Sequence, residues 1–187
     1  LTTTSWGPVS DMFTSWYNYD LTAPEYNIAL ANQILDDAGY TKDANGVRFS
    51  FTLAVLQEDA LPTVGEVIKE YLREIGVSVT LYIPDRATFV EVLEYGPNGL
   101  PGEYAACIAS GGTGPNVPLN IENLYSEKML PGGVGSGENF YWYQNARVTE
   151  LLTMSRIEPN QTIVREYMDE VQELVDEDLP VIWLYKK

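Results

Sequence analysis

Histidine is missing altogether from the 187 residues, and cysteine occurs once, at Cys107. Without histidine, neither a Ser-His-Asp nor a Cys-His nucleophile can be assembled from this chain, and ordinary His-based zinc sites are excluded with them. One cysteine closes no internal disulfide and builds no cysteine-lined metal cluster. In the run Tyr104-Ala105-Ala106-Cys107-Ile108-Ala109 it reads as a small buried hydrophobe. Basic residues are scarce: 11 Lys and Arg stand against 27 Asp and Glu, for a net charge of −16. That balance argues against nucleic acid, which needs clustered cations on its phosphates, and against an anionic membrane surface. Its simplest meaning is solubility. No apolar run approaches the ~20 residues that span a bilayer. No basic stretch followed by an apolar one opens the chain, so no signal peptide is visible. Leu1-Thr2-Thr3-Thr4 reads as a chain cut into, so the missing leader says nothing about where the parent protein resides.

Acidic residues are abundant, but abundance is no sign of a catalytic carboxylate pair. Glu66, Glu70 and Glu74 recur on one predicted helix and read as a solvated face. Asp176-Glu177-Asp178 lacks the spaced ligands and central glycine of a calcium loop and reads as the polar end of a helix. Asn160-Gln161-Thr162 satisfies a glycosylation sequon, with chance occurrence as the default. No enzyme activity, cofactor or metal is expected.

Along the chain, the stretch through Ala23 is aromatic and turn-rich, with Trp6, Phe13, Trp16, Tyr17 and Tyr19. Pro24-Glu25 then opens a helix carrying Ile28, Ala31, Leu35 and Ala38 on one face, stopped by Gly39. Val47–Leu56 holds the alternating Phe49, Phe51, Leu53 and Val55 of a strand. A second helix is expected to start on the Thr63/Glu66 capping box, to bury a stripe of Val64, Val67, Ile68, Tyr71, Leu72 and Ile75, and to end at Gly76. Val77, Val79, Leu81 and Ile83 alternate as a half-buried strand, and Asp85 caps a helix that turns Phe89, Val92 and Leu93 inward. Tyr104–Ala109 has the continuous small apolar residues of a central buried strand. This order is an α/β layer, a mixed β-sheet flanked by helices.

The middle changes character. Ser110–Pro118 is a Gly/Pro/Asn loop, Asn120–Tyr125 a short helix, and Pro131–Gly137 a flexible connection leading to Phe140-Tyr141-Trp142-Tyr143. Read as a strand, that cluster buries Phe140 and Trp142 and turns Tyr141 and Tyr143 outward. Two helices close the chain, with Val148, Leu151 and Leu152 inward on the first and Ile163, Tyr167, Val171 and Leu174 on the second. Pro180–Tyr185 follows as a final strand.

Four of these segments carry a resemblance. Tyr26–Tyr40, ending Ile-Leu-Asp-Asp-Ala-Gly-Tyr, is similar to an "AKQLLDEAGY" phrase. Val64–Val79 resembles "IQ-x-x-L-x-EIGI-x-V". Asn139–Val148 resembles "N-x-x-GYSNPEVD", and Val171–Leu184 resembles "IQ-x-I-x-x-ED-x-P-x-I-x-L". Together, in this order, they resemble family 5 of the bacterial extracellular solute-binding proteins, the peptide, nickel and oligosaccharide receptors of ABC importers. The resemblance implies a two-lobed, periplasmic-binding-protein-like clamp, of which residues 1–187 form a single lobe. It further implies a monomer, extracellular as a cell-surface lipoprotein or in the periplasm, that closes on a ligand and docks on a membrane permease. A ligand-sensing domain of a regulator would use the same clamp.

The resemblance also bears on the ligand. Peptide-binding members carry an aspartate in a "WGGDYPDP" loop after the central strand, where this chain has Ala109-Ser-Gly-Gly-Thr-Gly-Pro-Asn, with Thr113 at the aspartate's place and Glu122 as the next acid. The loop offers Ser110, Thr113 and Asn116 as neutral hydrogen-bonding groups, while Gly111 and Gly112 allow close approach to the backbone or serve as turn glycines. Tyr141, Trp142 and Tyr143 offer ring faces, unless they are core. Neutral polar groups beside rings suit an oligosaccharide, and the "SGGTGP" phrase resembles the oligosaccharide branch; an oligopeptide or dipeptide is the alternative.

Overall fold

The computed structural model describes residues 6–91, 104–111, 114–131, 135, 137–140 and 142–185. The chain forms two compact units, Glu25–Ser110 and Leu1–Pro24 together with Gly111–Lys187. They are referred to below as the sheet unit and the helical unit.

The sheet unit runs α1 (Ile28–Asp37), β1 (Phe49–Val55), α2 (Leu61–Glu74), β2 (Val77–Tyr82), a helical turn α3 over 86–91, and β3 (Tyr104–Ile108). Helix α1 starts three residues later than Pro24-Glu25 suggests, because Asn27 supplies the cap: its Oδ1 accepts from Leu30 N–H at 2.9 Å. It stops where expected, with Gly39 at φ +86°. None of its residues is buried; Ala31 and Leu35 are half-buried, while Ile28 and Ala38 are exposed. Helix α2 begins at Leu61 and not on the Thr63/Glu66 box, with Pro62 in its first turn, where a missing N–H costs nothing and φ is already helical. Its stripe is shallower than expected: Val64, Ile68, Leu72 and Ile75 are half-buried, and Val67 and Tyr71 exposed.

All three strands are parallel, in the order β2-β1-β3. Phe49 pairs with Val77 and Leu53 with Leu81 on one side; Ala54 pairs with Cys107 and Val55 with Ile108 on the other. The central strand is therefore β1 and not Tyr104–Ala109. The run Leu53-Ala54-Val55-Leu56 is buried throughout, as befits a strand end laddered on both sides, whereas Ala105, Ala106 and Cys107 are exposed on β3. Small apolar residues suit a covered strand and an edge equally, and only the pairing separates the two. Along β2 the predicted alternation holds, with Val77 and Val79 buried and Ser78 and Thr80 exposed. Asp85 caps α3 through Thr88 N–H at 3.0 Å, and Phe89 is buried; Val92 and Leu93 lie outside the described residues.

The helical unit contains α4 (Val117–Tyr125), a 3-10 turn (Glu127–Met129), α5 (Ala146–Ser155) and α6 (Gln161–Asp178). Its core joins Val9 to Val117, Ile121 and Tyr125 of α4, to Val148, Leu151 and Leu152 of α5, and to the inner face of α6. That α6 face is Val164, Met168, Val171, Gln172 and Val175. It is rotated by about one residue from the expected stripe (Ile163, Tyr167, Val171, Leu174), and it includes one polar member. Gln172, fully buried, has its amide spoken for: Oε1 accepts from Asn18 N–H at 3.2 Å, and Nε2 donates to the carbonyls of Trp16 at 2.9 Å and Met168 at 3.1 Å. Arg165, two turns back, donates to the carbonyls of Ser15 and Tyr17.

Pro180–Tyr185 forms no strand. Among the described residues the helical unit holds no ladder for it to join, and it is anchored by side chains instead. Val181 and Trp183 pack on the core, and Trp183 meets Trp6 edge to face at 5.2 Å.

Two substitutions test this packing. In α2, a Cβ built on Gly65 would lie 3.0 Å from Val55 Cγ2 and 3.6 Å from Leu81 Cδ1. Gly65→Leu is expected to lower stability by about 1–3 kcal/mol through overpacking, measured by urea unfolding. Gln172→Leu keeps the volume but strands Asn18 N–H and the Trp16 carbonyl, and a loss of about 1–3 kcal/mol is expected from the same measurement.

Candidate functional site

The carboxyl ends of the three strands converge. Leu56 N–H donates to Ile108 O at 3.0 Å and Gln57 N–H to Pro84 O at 3.1 Å, so the chain leaving β1 runs between those leaving β2 and β3. β1 connects to β2 on one side, and the chain then returns to place β3 on the other. This makes the β1/β3 boundary a topological switch point, the place where open parallel sheets leave a crevice for ligands. Three features mark the edge. Asp59 holds a left-handed backbone at φ +47°. Glu58 and Arg86 form a two-point ion pair, with both N–H···O distances 2.5 Å. Ser110 stands exposed just past β3. The ion pair is itself solvent-exposed and contributes little to stability.

The sequence-predicted residues divide between the units. Ser110 belongs to the sheet unit, and Gly111, Asn116, Trp142 and Tyr143 to the helical unit. Gly112, Thr113 and Tyr141 lie outside the described residues. Gly111 is exposed, and a Cβ on it would meet nothing within 4 Å, so crowding does not demand glycine there. Asn116 precedes α4; its carbonyl accepts from Asn120 N–H at 3.0 Å and Asn120 Nδ2 at 2.7 Å. With Trp16, Pro115, Leu119 and Gln161 it lines a groove of about 580 Å³.

Among its described residues the aromatic cluster forms no strand, and Tyr143 is buried where the expected alternation turned it outward. Trp142 takes a left-handed backbone at φ +53° and is half-buried with Phe140, while Tyr143 is 8% exposed. Asn139, which periodicity did not single out, produces this corner. Completely buried, it accepts Tyr143 N–H at 3.2 Å on Oδ1, and its Nδ2 donates to the Tyr143 carbonyl at 2.9 Å and the Ser126 carbonyl at 3.1 Å. The Tyr143 ring stands edge-on to Tyr125, and its hydroxyl donates to Asp178 Oδ2 at 2.6 Å. Its face is thus part of the core and not a free platform. Burial, then the bond to Asp178, pushes the Tyr143 hydroxyl well above its ordinary pKa. The hydrogen bonds from Tyr143 and Asn145 hold the Asp178 carboxyl below the usual range.

The sequence matches the family described as "Bacterial extracellular solute-binding proteins, family 5 Middle" over residues 2–127. The chain belongs to this family. Solved structures with similar folds include the ABC transporter-associated periplasmic binding protein DppA of Helicobacter pylori in complex with the peptide STSA. It is 19% identical, with a TM-score of 0.81, over 98% of this chain and 33% of that one. AppA, the oligopeptide-binding protein of Bacillus subtilis in complex with a nonapeptide, is 25% identical, with a TM-score of 0.78, over 98% and 36%. NikZ of Campylobacter jejuni in complex with Ni(L-His) is 18% identical, with a TM-score of 0.77, over 91% and 34%. The chain thus spans about a third of the length of these structures. No curated protein matches it. Among the described residues, no helix is long and apolar enough to cross a membrane.

The Tyr143–Asp178 pair gives a pH signature. A carboxyl whose pKa is lowered by folding contributes stability above its unfolded pKa of about 3.9 and loses it as pH falls through the folded value. Tyr143→Phe is therefore expected to lower the melting temperature at neutral pH and to flatten its decline on acidification, followed by thermal melts from pH 7 downward.

Proposed function

We infer that this family 5 chain is one lobe of a two-lobed extracellular solute-binding protein serving an ABC importer, and that its ligand is a peptide. The observation that carries the ligand class is the outer edge of β3. Ala105, Ala106 and Cys107 are exposed there, no strand pairs with that side among the described residues, and the chain runs on into Ser110 at the carboxyl edge of the sheet. An unpaired edge offers main-chain donors and acceptors in strand geometry, which an extended peptide matches along its length and a sugar does not. The peptides held by the DppA and AppA structures support the same choice. The oligosaccharide reading drew on ring faces beside neutral polar groups; with the Tyr143 ring packed in the core and its hydroxyl committed to Asp178, it keeps less support.

As a lobe, the chain holds part of a site, and ligand binding would close the partner lobe over it by hinge motion. Amide NMR on this chain, titrated to millimolar levels with a pool of short peptides and separately with a pool of oligosaccharides, tests the choice. Shifts along Ala105–Gly111 with peptides alone are expected. Shifts with oligosaccharides alone would replace the peptide by a sugar, and silence toward both would remove the peptide reading for this lobe.

A further inference from the structure

The groove beside Asn116, about 580 Å³ in volume, lies wholly within the helical unit, where the start of α4, the end of α5 and the start of α6 meet. Part of its wall is apolar, formed by Pro115, Pro118 and the exposed Leu119. Trp16 packs against the core and also borders the groove. Its indole N–H is neither sealed from solvent nor bonded to a described group. Three further polar side chains open on the same space. Asn116 is exposed and gives α4 no side-chain cap, and Gln161 is exposed in the first turn of α6. Neither side-chain amide has a described partner. Arg156 is anchored at one end: its Nη1 lies 3.3 Å from the carboxylate of the buried Glu122, while the arginine side chain stays 57% exposed.

These groups define what the groove can take. Glu122 answers the charge of Arg156, so no unpaired charge faces the groove and a neutral ligand is favoured over an ion. An extended peptide needs a row of free main-chain donors and acceptors. Here the Asn116 carbonyl is taken by Asn120, through its N–H at 3.0 Å and its Nδ2 at 2.7 Å, and Ser155 Oγ donates to the Leu152 carbonyl at 2.8 Å. What remains is a set of planar side chains: two amides, each both donor and acceptor, an indole N–H and the outer N–H groups of a guanidinium. Neighbouring hydroxyls on a sugar ring match such groups, because each hydroxyl donates and accepts, and the C–H face of the ring packs on proline, leucine and indole. The volume admits one or two rings. We propose that this groove is an accessory binding site for a neutral pyranose sugar, of mono- or disaccharide size, with Asn116, Gln161, Arg156 and the Trp16 N–H reading its hydroxyls. The site uses none of the residues assigned to peptide capture and does not depend on that reading.

Amide NMR on this chain tests the site with maltose, cellobiose and lactose, each titrated separately. At least one of the three is expected to give saturable shifts at Asn116, Leu119, Arg156 and Gln161. Sorbitol, which has hydroxyls but no ring face, should bind roughly tenfold or more weakly, through loss of the apolar contact. Asn116→Ala and Gln161→Ala each remove an exposed side chain without a described partner. The melting temperature should therefore hold in both, while sugar affinity falls roughly three- to tenfold. Arg156→Lys keeps a positive charge beside Glu122 but loses the planar fork, and a comparable loss of affinity is expected. No saturable shift in the groove with any of the three sugars, equal binding of sorbitol, or unchanged affinity in both alanine variants would overturn the proposal. So would tetraproline occupying the groove where the sugars do not, since a proline-rich segment would then be what these side chains take. Peptide shifts along Ala105–Gly111 report on the β3 edge, so either reading can fail without the other.

Discussion

Eighteen residues of irregular chain, 6 to 23, enter the helical unit with no secondary structure to satisfy their backbone, and the amide of Gln172 resolves that problem at its deepest point. Buried backbone groups must find partners. Asn18 N–H and the Trp16 carbonyl find theirs on one side chain of α6. Once they are paired, Val9, Phe13 and Trp16 can pack on the hydrophobic face of the same helix, and Arg165 collects the carbonyls of Ser15 and Tyr17 beside them. The aromatic N-terminal stretch is thereby an ordered part of the core although it forms neither helix nor strand.

The sheet unit rests on a different constraint, the return of the chain across β1. Because β2 and β3 flank β1 on opposite sides, the connections diverge at the carboxyl end, and the loops bearing Glu58, Arg86 and Ser110 border one edge. The same topology leaves β3 outermost, with its main chain unladdered on one side among the described residues. An edge of this kind is a hazard for aggregation when nothing manages it, and a means of recognition when a peptide completes it. The function proposed above gives the edge the second of these meanings.

Buried polar groups recur at the turning points of the helical unit. Asn139 closes the corner before Tyr143, Gln172 receives the N-terminal stretch, and Glu122 pairs with Arg156 at the end of α5. The two amides have matched hydrogen-bond partners and act as structural clasps.

Sequence by itself determined what local physics controls. The alternation of Val77 and Val79 with Ser78 and Thr80, the left-handed stops at Gly39 and Gly76, the Asp85 cap, and the inward face of Val148, Leu151 and Leu152 all follow from period and backbone preference. The absence of histidine bounded the chemistry before any fold was known, and the ordered phrases already resembled the family that residues 2–127 match. Tertiary structure alone decided which strand is central, because Leu53–Val55 and Tyr104–Ile108 are both apolar and only pairing ranks them. It decided that Tyr143 lies inward, since its direction follows from the hydrogen bonds of Asn139 and not from strand alternation. It also placed Asn116, Arg156 and Gln161 on one groove: they sit at the start of α4, the end of α5 and the start of α6, and no spacing along the chain encodes a meeting of three separate elements.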